Sequence, residues 1–160
     1  NLGNMLSKQS LVDDAISHYS EAVNLNPGFK QAQQALHFFQ TDRYNIGLNL
    51  LSKGLTNEAI VQFQEAIKIN HDPKSYNAMG ALAYSGRQLD EAIEYFKKAL
   101  KEKPEYADAH RNLALALMNK GLPDEATRHF QEALRLEPNS SNVRRHLDAL
   151  GGKQPANEAR

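Results

Sequence analysis

Small and aromatic residues recur along this chain at a fixed spacing, with polar residues between them. A small residue opens each copy of the pattern, and an alanine follows after 12 residues, an aromatic residue after 16 and a second alanine after 19. The four copies are Gly3, Ala15, Tyr19, Ala22; Gly47, Ala59, Phe63, Ala66; Gly80, Ala92, Phe96, Ala99; and Ala114, Ala126, Phe130, Ala133. Successive copies lie 44, 33 and 34 residues apart, which indicates a repeated unit with one irregular join.

Each copy predicts a pair of antiparallel helices. No segment shows the period of two that a strand needs, so the chain is predicted to be all-α. The small residue marks where a second helix approaches closely, and the aromatic residue of that helix fills the space between them. Acidic and amide residues suit the positive end of a helix and can cap its N–H groups, so they predict where second helices begin. These predicted starts are Asp13-Asp14, Asn57-Glu58, Asp90-Glu91 and Asp124-Glu125, and Pro27, Pro104 and Pro138 predict three of the ends.

The pattern resembles the tetratricopeptide repeat, most closely over residues 76–80 and 90–100. The resemblance covers residues 1–27 and 40–150, and it implies a right-handed α-solenoid of stacked helix-turn-helix repeats. One solenoid domain is expected over residues 1–150. Its parts are a truncated repeat (1–27), an irregular half repeat (28–39), three repeats (40–72, 73–106 and 107–140) and a capping helix (141–150). Residues 151–160 have almost no apolar content and are expected to be disordered.

The irregular join allows two interpretations. Residues 28–39 begin like a first helix, with Leu36 in the core position and His37 in the glycine position, but no second helix follows. Either two first helices fuse over residues 30–53, or one helix ends near Thr41 and another begins there. Fusion would leave Phe38 and Phe39 without the second helix that normally covers them, so the preceding repeat, upstream residues or another chain would have to cover them. Self-association through residues 28–53 is the hypothesis that follows from the last of these.

Composition removes several functional classes. Lysine plus arginine and aspartate plus glutamate both total 19, without the basic excess typical of nucleic-acid binding. The chain has no cysteine and no apolar run long enough to insert into a membrane. Six histidines lie far apart without metal-ligand spacing, and the glycines form no phosphate-binding loop, so neither a metal nor a cofactor is expected. The sequence therefore predicts a non-enzymatic module. Because Asn1 already lies within a predicted helix, this chain is expected to be part of a longer protein.

The resemblance also indicates a binding surface, because the first helices of this family line a concave groove that holds a peptide or partner protein. Asn77, Arg111 and Arg145 occupy the same position in successive repeats, and guanidinium groups pair well with carboxylates. The expected ligand is a peptide with an acidic residue beside apolar ones. The competing interpretation is that Asp108 or Glu105 neutralises Arg111 in a surface ion pair. The expected groove residues are Tyr44, Asn45, Leu48, Lys74, Asn77, Tyr84, Arg111, Asn112, Leu115, Met118 and Arg145.

Two narrower family patterns match only in part. Repeats that clamp the C-terminal carboxylate of heat-shock chaperones are matched at Asn4, Asn45 and Lys74, but Ala78 replaces their arginine. The asparagine ladder of O-linked N-acetylglucosamine transferase is matched at Asn1, Asn45 and Asn112, and Ala78 interrupts it too. Three functional hypotheses remain: a scaffold that binds a peptide or protein, the repeat arm of a larger glycosyltransferase-like enzyme whose catalytic region lies outside this chain, and a homo-oligomerisation platform.

Overall fold

A computed structural model describes the backbone of residues 2–151 and the side chains of residues 11–151. The described part of the chain contains helices and no strands, which confirms the prediction of an all-α fold. The eight helices are α1 (Leu2–Leu25), α2 (Lys30–Ser52), α3 (Thr56–Asn70), α4 (Pro73–Ser85), α5 (Leu89–Glu102), α6 (Ala107–Asn119), α7 (Pro123–Leu136) and α8 (Ser141–Ala149).

The helices belong to two compact units, Asn1–Asp72 and Pro73–Arg160. In the first unit, α2 packs against both α1 and α3. In the second unit, α4 and α5 form one hairpin and α6 and α7 another; α6 also packs against α4 and α5, and α8 covers α7. The expectation of one solenoid domain over residues 1–150 stays a prediction.

The repeated alanine and aromatic positions form the core in three of the four copies. Phe63, Phe96 and Phe130 are buried, as are the alanines on either side of each in the pattern. A methyl group added at Gly47 or Gly80 would lie 2.5 Å from Cε1 of Phe63 or Phe96, respectively. Glycine is therefore required at these two positions because the ring of the second helix lies directly against the backbone of the first.

The same backbone turn joins the first and second helix in these three copies. Its central residue has a left-handed conformation, with φ of 76° at Gly54, 60° at Arg87 and 82° at Gly121. The N–H of that residue and the next N–H each donate to a carbonyl of the last turn of the first helix, as in the Schellman motif. The turn thus satisfies carbonyls that would otherwise be left unpaired at the helix end.

The acidic residues that predict second helices act through the helix dipole, and the prediction that they cap the helices is wrong. Asp90 and Glu91 lie in the first turn of α5, and acidic residues occupy the same turn of α3 and α7. The turn itself places Leu55, Gln88 and Leu122 at the N-cap positions, and none of them makes a side-chain capping bond.

The first copy does not fold as a hairpin. α1 runs without a break from Leu2 to Leu25, so the helix start predicted at Asp13-Asp14 is wrong. The other copies have glycine at the left-handed position or directly before it, whereas the first copy has Ser10 after Gln9. Without a first helix folded back over it, Tyr19 remains 37% exposed in the position where the other copies bury phenylalanine.

α2 is one helix of 23 residues, which confirms the fusion of two first helices. Its buried residues form one stripe along the helix: Ala32, Leu36, Gln40, Arg43 and Gly47. His37, predicted to replace the repeat glycine, is exposed, whereas Leu36 is buried as expected.

Prolines end three helices as predicted, and each also anchors the next helix. α1, α5 and α7 end two residues before Pro27, Pro104 and Pro138, respectively. Each proline carbonyl accepts a hydrogen bond from a side chain six residues later, at 2.6 Å from Gln33 Nε2, 2.8 Å from His110 Nε2 and 2.9 Å from Arg144 Nη2. The three donors occupy the fourth position of a first helix, so this bond ties the helix to the loop that precedes it.

The last helix covers the core of the second unit, as expected for a cap. Val143 and Leu147 of α8 are buried in the cluster that also contains Phe130, and the ring of His146 stacks on Phe130 at 5.1 Å. Gly151 follows with a φ of 71°. The predicted disorder of residues 151–160 concerns a segment that, from residue 152 onward, lies outside the described residues.

Candidate functional site

Two hydrogen bonds join the first helices α4 and α6 of the second unit, and they bring together three of the predicted groove residues, Asn77, Tyr84 and Asn112. Asn112 on α6 donates from Nδ2 to Oδ1 of Asn77 on α4 at 3.0 Å. One end of the same pair of helices is joined by a bond of 2.6 Å from Asn119 Nδ2 to the hydroxyl of Tyr84. We call the exposed sides of the first helices α4, α6 and α8 the first-helix face. The two bonds show that the α4 and α6 parts of this face lie side by side.

The middle of the first-helix face is apolar. Tyr84, Leu115 and Met118 are half-buried, with part of each side chain packed against the hydrophobic core and part accessible to solvent. Ala81 is exposed beside them. Half-buried side chains of this kind offer apolar surface that a ligand can cover without any rearrangement of the core.

Charged residues flank this apolar area. Nη2 of Arg111 lies 2.7 Å from Oδ1 of Asp108 on the same helix, so the predicted competing ion pair is present. Glu105, the other predicted partner of Arg111, lies instead 3.8 Å from Nη2 of Arg135. Arg145 is exposed on α8, and Lys74 is exposed in the first turn of α4.

The three predicted groove residues of the first unit lie on α2. The Tyr44 ring centroid lies 5.9 Å from that of Phe63, so Tyr44 contributes partly to packing and is half-buried. Asn45 and Leu48 are exposed. They belong to the first unit, whereas the first-helix face belongs to the second.

The two phenylalanines of the irregular join differ in exposure. Phe39 is half-buried, and its ring centroid lies 6.4 Å from that of Tyr19 on α1. Phe38 is 68% exposed. The hypothesis of self-association through residues 28–53 therefore depends on Phe38 more than on Phe39.

A cleft between α1 and α3 is a feature that sequence reasoning missed. It has a volume of about 680 Å³, and Arg43 of α2 lies buried at its base. Arg43 donates to Oε1 of Gln62 at 3.1 Å and lies 3.6 Å from Oδ1 of Asp13. The guanidinium thus links three helices, which no regular position of the repeat pattern predicts.

Histidines and acidic residues form no metal site in residues 11–151: no three of these side chains converge as metal ligands would. His110 and His129, which are 19 residues apart in sequence, are nevertheless in direct contact. Within the part of the chain that the structure describes, no helix is long and apolar enough to cross a membrane.

Comparison with known proteins identifies the repeat. Two sequence profiles, both described as tetratricopeptide repeat, match residues 43–72 and 83–150, which together make up more than half of the chain. The chain belongs to the tetratricopeptide-repeat family. The matched segments contain the second and fourth copies of the pattern and the third copy from Ala92 onward, and they include the turns at Gly54, Arg87 and Gly121.

Relatives among curated proteins match part of the chain. Peroxisomal targeting signal receptors of Candida glabrata and Saccharomyces cerevisiae are 34% and 32% identical over 77 residues. This match covers 48% of the chain and about 13% of the length of each receptor. The chain thus corresponds to a small part of these proteins.

Solved tetratricopeptide-repeat structures have the same fold. The structural alignment with MamA covers 94% of this chain and 82% of the MamA chain, with a TM-score of 0.62 and 18% sequence identity. The first tetratricopeptide-repeat domain of Spaghetti (RPAP3), bound to HSP90 peptide SRMEEVD, matches 71% of this chain and 93% of its own, with a TM-score of 0.66 and 17% identity. The alignment with the type III secretion translocator chaperone SycD of Yersinia enterocolitica covers 70% of this chain and 91% of the SycD chain, with a TM-score of 0.63 and 22% sequence identity. At these identities the likeness establishes the fold, a solenoid of tetratricopeptide repeats.

Proposed function

We propose that this chain is a protein-interaction module and that its first-helix face binds a peptide segment of a partner protein. The observation that carries the proposal is the pair of hydrogen bonds between α4 and α6, Asn112 to Asn77 and Asn119 to Tyr84. They hold α4 and α6 side by side, so the polar side chains of Asn77 and Asn112 and the half-buried side chains of Tyr84, Leu115 and Met118 belong to two adjacent helices. A peptide can cover the apolar groups while its backbone and charged side chains pair with the polar ones.

The ligand is proposed to combine apolar and acidic residues. The two RPAP3 domains among the structural relatives are bound to peptides SRMEEVD and SGPTIEEVD, which have this character. The clamp for a chaperone C-terminal carboxylate is incomplete in the present chain, because Ala78 replaces its arginine. An internal acidic residue next to apolar ones therefore fits this face better than a terminal carboxylate.

Arg111 and Arg145 are proposed to supply the positive charge. The Arg111 side chain is 28% exposed and that of Asp108 is 45% exposed, so solvent screens the pair. Exposed ion pairs of this kind contribute about 0–1 kcal/mol, whereas a hydrogen bond from a charged group to a ligand contributes about 1.5–3 kcal/mol. A ligand carboxylate can accordingly replace Asp108 as the partner of Arg111.

The first prediction tests these arginines with an array of decapeptides in which acidic, amide and aliphatic residues are permuted. We expect the bound peptides to be enriched in acidic residues beside leucine, methionine or phenylalanine. Changing Arg111→Ala and Arg145→Ala together should weaken their binding about tenfold or more, which corresponds to about 1.4 kcal/mol or more. Binding to the unaltered chain should also weaken as salt is raised. Fluorescence polarisation of selected peptides measures both effects.

Asp108→Asn provides the matched control. It releases Arg111 from its internal partner, so binding of acidic peptides should strengthen about two- to fivefold, in line with the contribution of an exposed ion pair. Far-UV circular dichroism should show unchanged helicity in all these variants. Selected peptides without acidic enrichment, or full binding by the double arginine variant, would show that the arginines of this face do not recognise the ligand.

A further inference from the structure

One histidine of the second unit contacts both a loop and a second helix. His110 on α6 is 9% exposed. Its Nε2 lies 2.8 Å from the carbonyl oxygen of Pro104, in the loop before α6. Its Nδ1 lies 3.0 Å from Nδ1 of His129 on α7, and the two ring centroids are 5.2 Å apart. Both nitrogens of this buried ring are therefore within hydrogen-bond distance of a partner.

These partners determine where the protons lie. A carbonyl oxygen only accepts hydrogen bonds, so Nε2 of His110 carries a proton. The neutral His110 ring then has an unprotonated Nδ1, which accepts a hydrogen bond from Nδ1–H of His129. One added proton can be held at Nε2 of His129 without breaking this bond. A second would place two N–H groups face to face on two positively charged rings, which forces the rings apart.

The same loop anchor is made elsewhere by side chains that do not titrate near neutral pH. Gln33 and Arg144 donate to the carbonyls of Pro27 and Pro138, six residues before them, as His110 does to Pro104. Among these three anchors, the one at His110 alone uses an imidazole, the side chain whose ordinary pKa lies between 5 and 8.

The charges around the pair oppose a second proton. Burial, followed by repulsion from His110, lowers the pKa of His129 below its usual value. Lys97 on α5 and Arg128 on α7 act in the same direction, and Glu125 on α7 acts against them. Glu132 of α7 also faces the two histidines, but its carboxylate is held by Arg135 at 2.7 Å.

We propose that the contact between His110 and His129 is an acid-sensitive latch. While the pair carries at most one positive charge, it holds α6 against α7 and against the loop at Pro104. Protonation of both rings opens the latch, so α6 and its loop lose local stability in mildly acidic solution. This behaviour belongs to the fold of the second unit and does not depend on the proposed ligand.

The direction of the pH dependence follows from proton counting. In the unfolded or locally opened segment both histidines titrate near their ordinary pKa of about 6.5. The closed pair holds at most one added proton, and the lowered pKa of His129 disfavours that proton too, so the closed segment binds fewer protons than the open one. Stability is therefore lost as pH falls below about 6.5. Each proton of difference increases the opening equilibrium constant about tenfold per pH unit.

Nitrogen NMR of the full chain labelled with 15N-histidine tests the proton positions. At pH 8 we expect His110 as the Nε2–H tautomer and His129 as the Nδ1–H tautomer, with the pKa of His129 below the ordinary histidine value of about 6.5. A His129 ring in the Nε2–H form with a pKa at or above that ordinary value would overturn the latch.

Hydrogen exchange of α6 peptides, detected by mass spectrometry, tests the consequence. After correction for the intrinsic exchange rate, protection should fall about tenfold per pH unit between pH 6.5 and 5.5 in the natural chain. His110→Gln keeps a donor for the loop, as Gln33 does, and His129→Asn keeps an N–H near the position of Nδ1; both should reduce this loss. His37→Gln, the control with the same number of histidines, should retain the full loss. If the natural chain, His110→Gln and His129→Asn all lost the same protection of α6 between pH 6.5 and 5.5, the proposal would be refuted.

Discussion

The contact between glycine and phenylalanine explains why one residue of the repeat is small. In α4 the backbone at Gly80 lies against the ring of Phe96, and a methyl group there would be 2.5, 2.7 and 3.0 Å from three ring carbons. Phe96 is only 1% exposed, so its ring has little room to move away. The corresponding pair in the next repeat is Ala114 and Phe130, so the spacing between the two helices must differ slightly there.

The second prediction follows from this contact. Gly80→Ala introduces steric strain of about 1–3 kcal/mol, which exceeds the gain of about 1 kcal/mol that alanine brings to a helix. We therefore expect a net loss of unfolding free energy of about 1 kcal/mol, measured by urea denaturation. In a Phe96→Leu background the smaller side chain makes room, so the same alanine should be neutral or stabilising. A Gly80→Ala variant more stable than the natural chain would contradict this explanation.

Among the helices, α2 shows how the irregular join is accommodated. Leu36 and Gly47 are both buried, and the stripe between them is unbroken. The third prediction is that Asp42→Pro, an exposed position in the middle of α2, lowers the unfolding free energy by about 3 kcal/mol. Lys30→Pro changes the first residue of the same helix and should have little effect. Denaturation curves that are equally affected by both substitutions would be inconsistent with a continuous α2.

The sequence predicts the helices correctly in the copies where a small residue of the first helix packs against a buried phenylalanine of the second. The contact of Gly80 with Phe96 lies within one hairpin, so its spacing appears directly in the sequence. The exception is α1, where the prediction took Asp13-Asp14 as a helix start. The decisive signal was the missing glycine near Ser10, because only a left-handed residue allows the Schellman turn.

The candidate site was less predictable than the fold. The repeat pattern anticipated that Asn77 and Asn112 share a surface, but it left open whether Arg111 faces a ligand or Asp108. That choice depends on side-chain conformation, which spacing does not specify. The contact of His110 with His129 and the burial of Arg43 join helices through side chains outside the repeated positions. Patterns that recur with the repeat do not reveal such contacts.

At the scale of the whole molecule, the second unit contains an extended hydrophobic cluster of its own. The hydrophobic cluster that includes Phe96, Leu113, Leu117, Phe130 and Leu147 lies entirely within the second unit. The fourth prediction is that a fragment of residues 73–160 folds alone and loses its helical circular dichroism in one cooperative thermal transition. A fragment of residues 1–72 should melt at a lower temperature, since Tyr19 of its first helix is less buried than its equivalents. A gradual, non-cooperative loss of structure in the 73–160 fragment would contradict the prediction.

The length of α2 indicates which insertions a first helix can accept during evolution. From Leu36 to Gly47 there are 11 residues, which is close to three full turns of helix. An insertion of this length returns the buried stripe to nearly the same direction, with an error of about 20°. An insertion two residues shorter would turn the apolar side of the added segment toward solvent, since each residue rotates the chain by about 100°. Lineages of these repeats should therefore tolerate insertions within a first helix in steps of whole turns, and the segment from Leu36 to Gly47 has the length of three such turns.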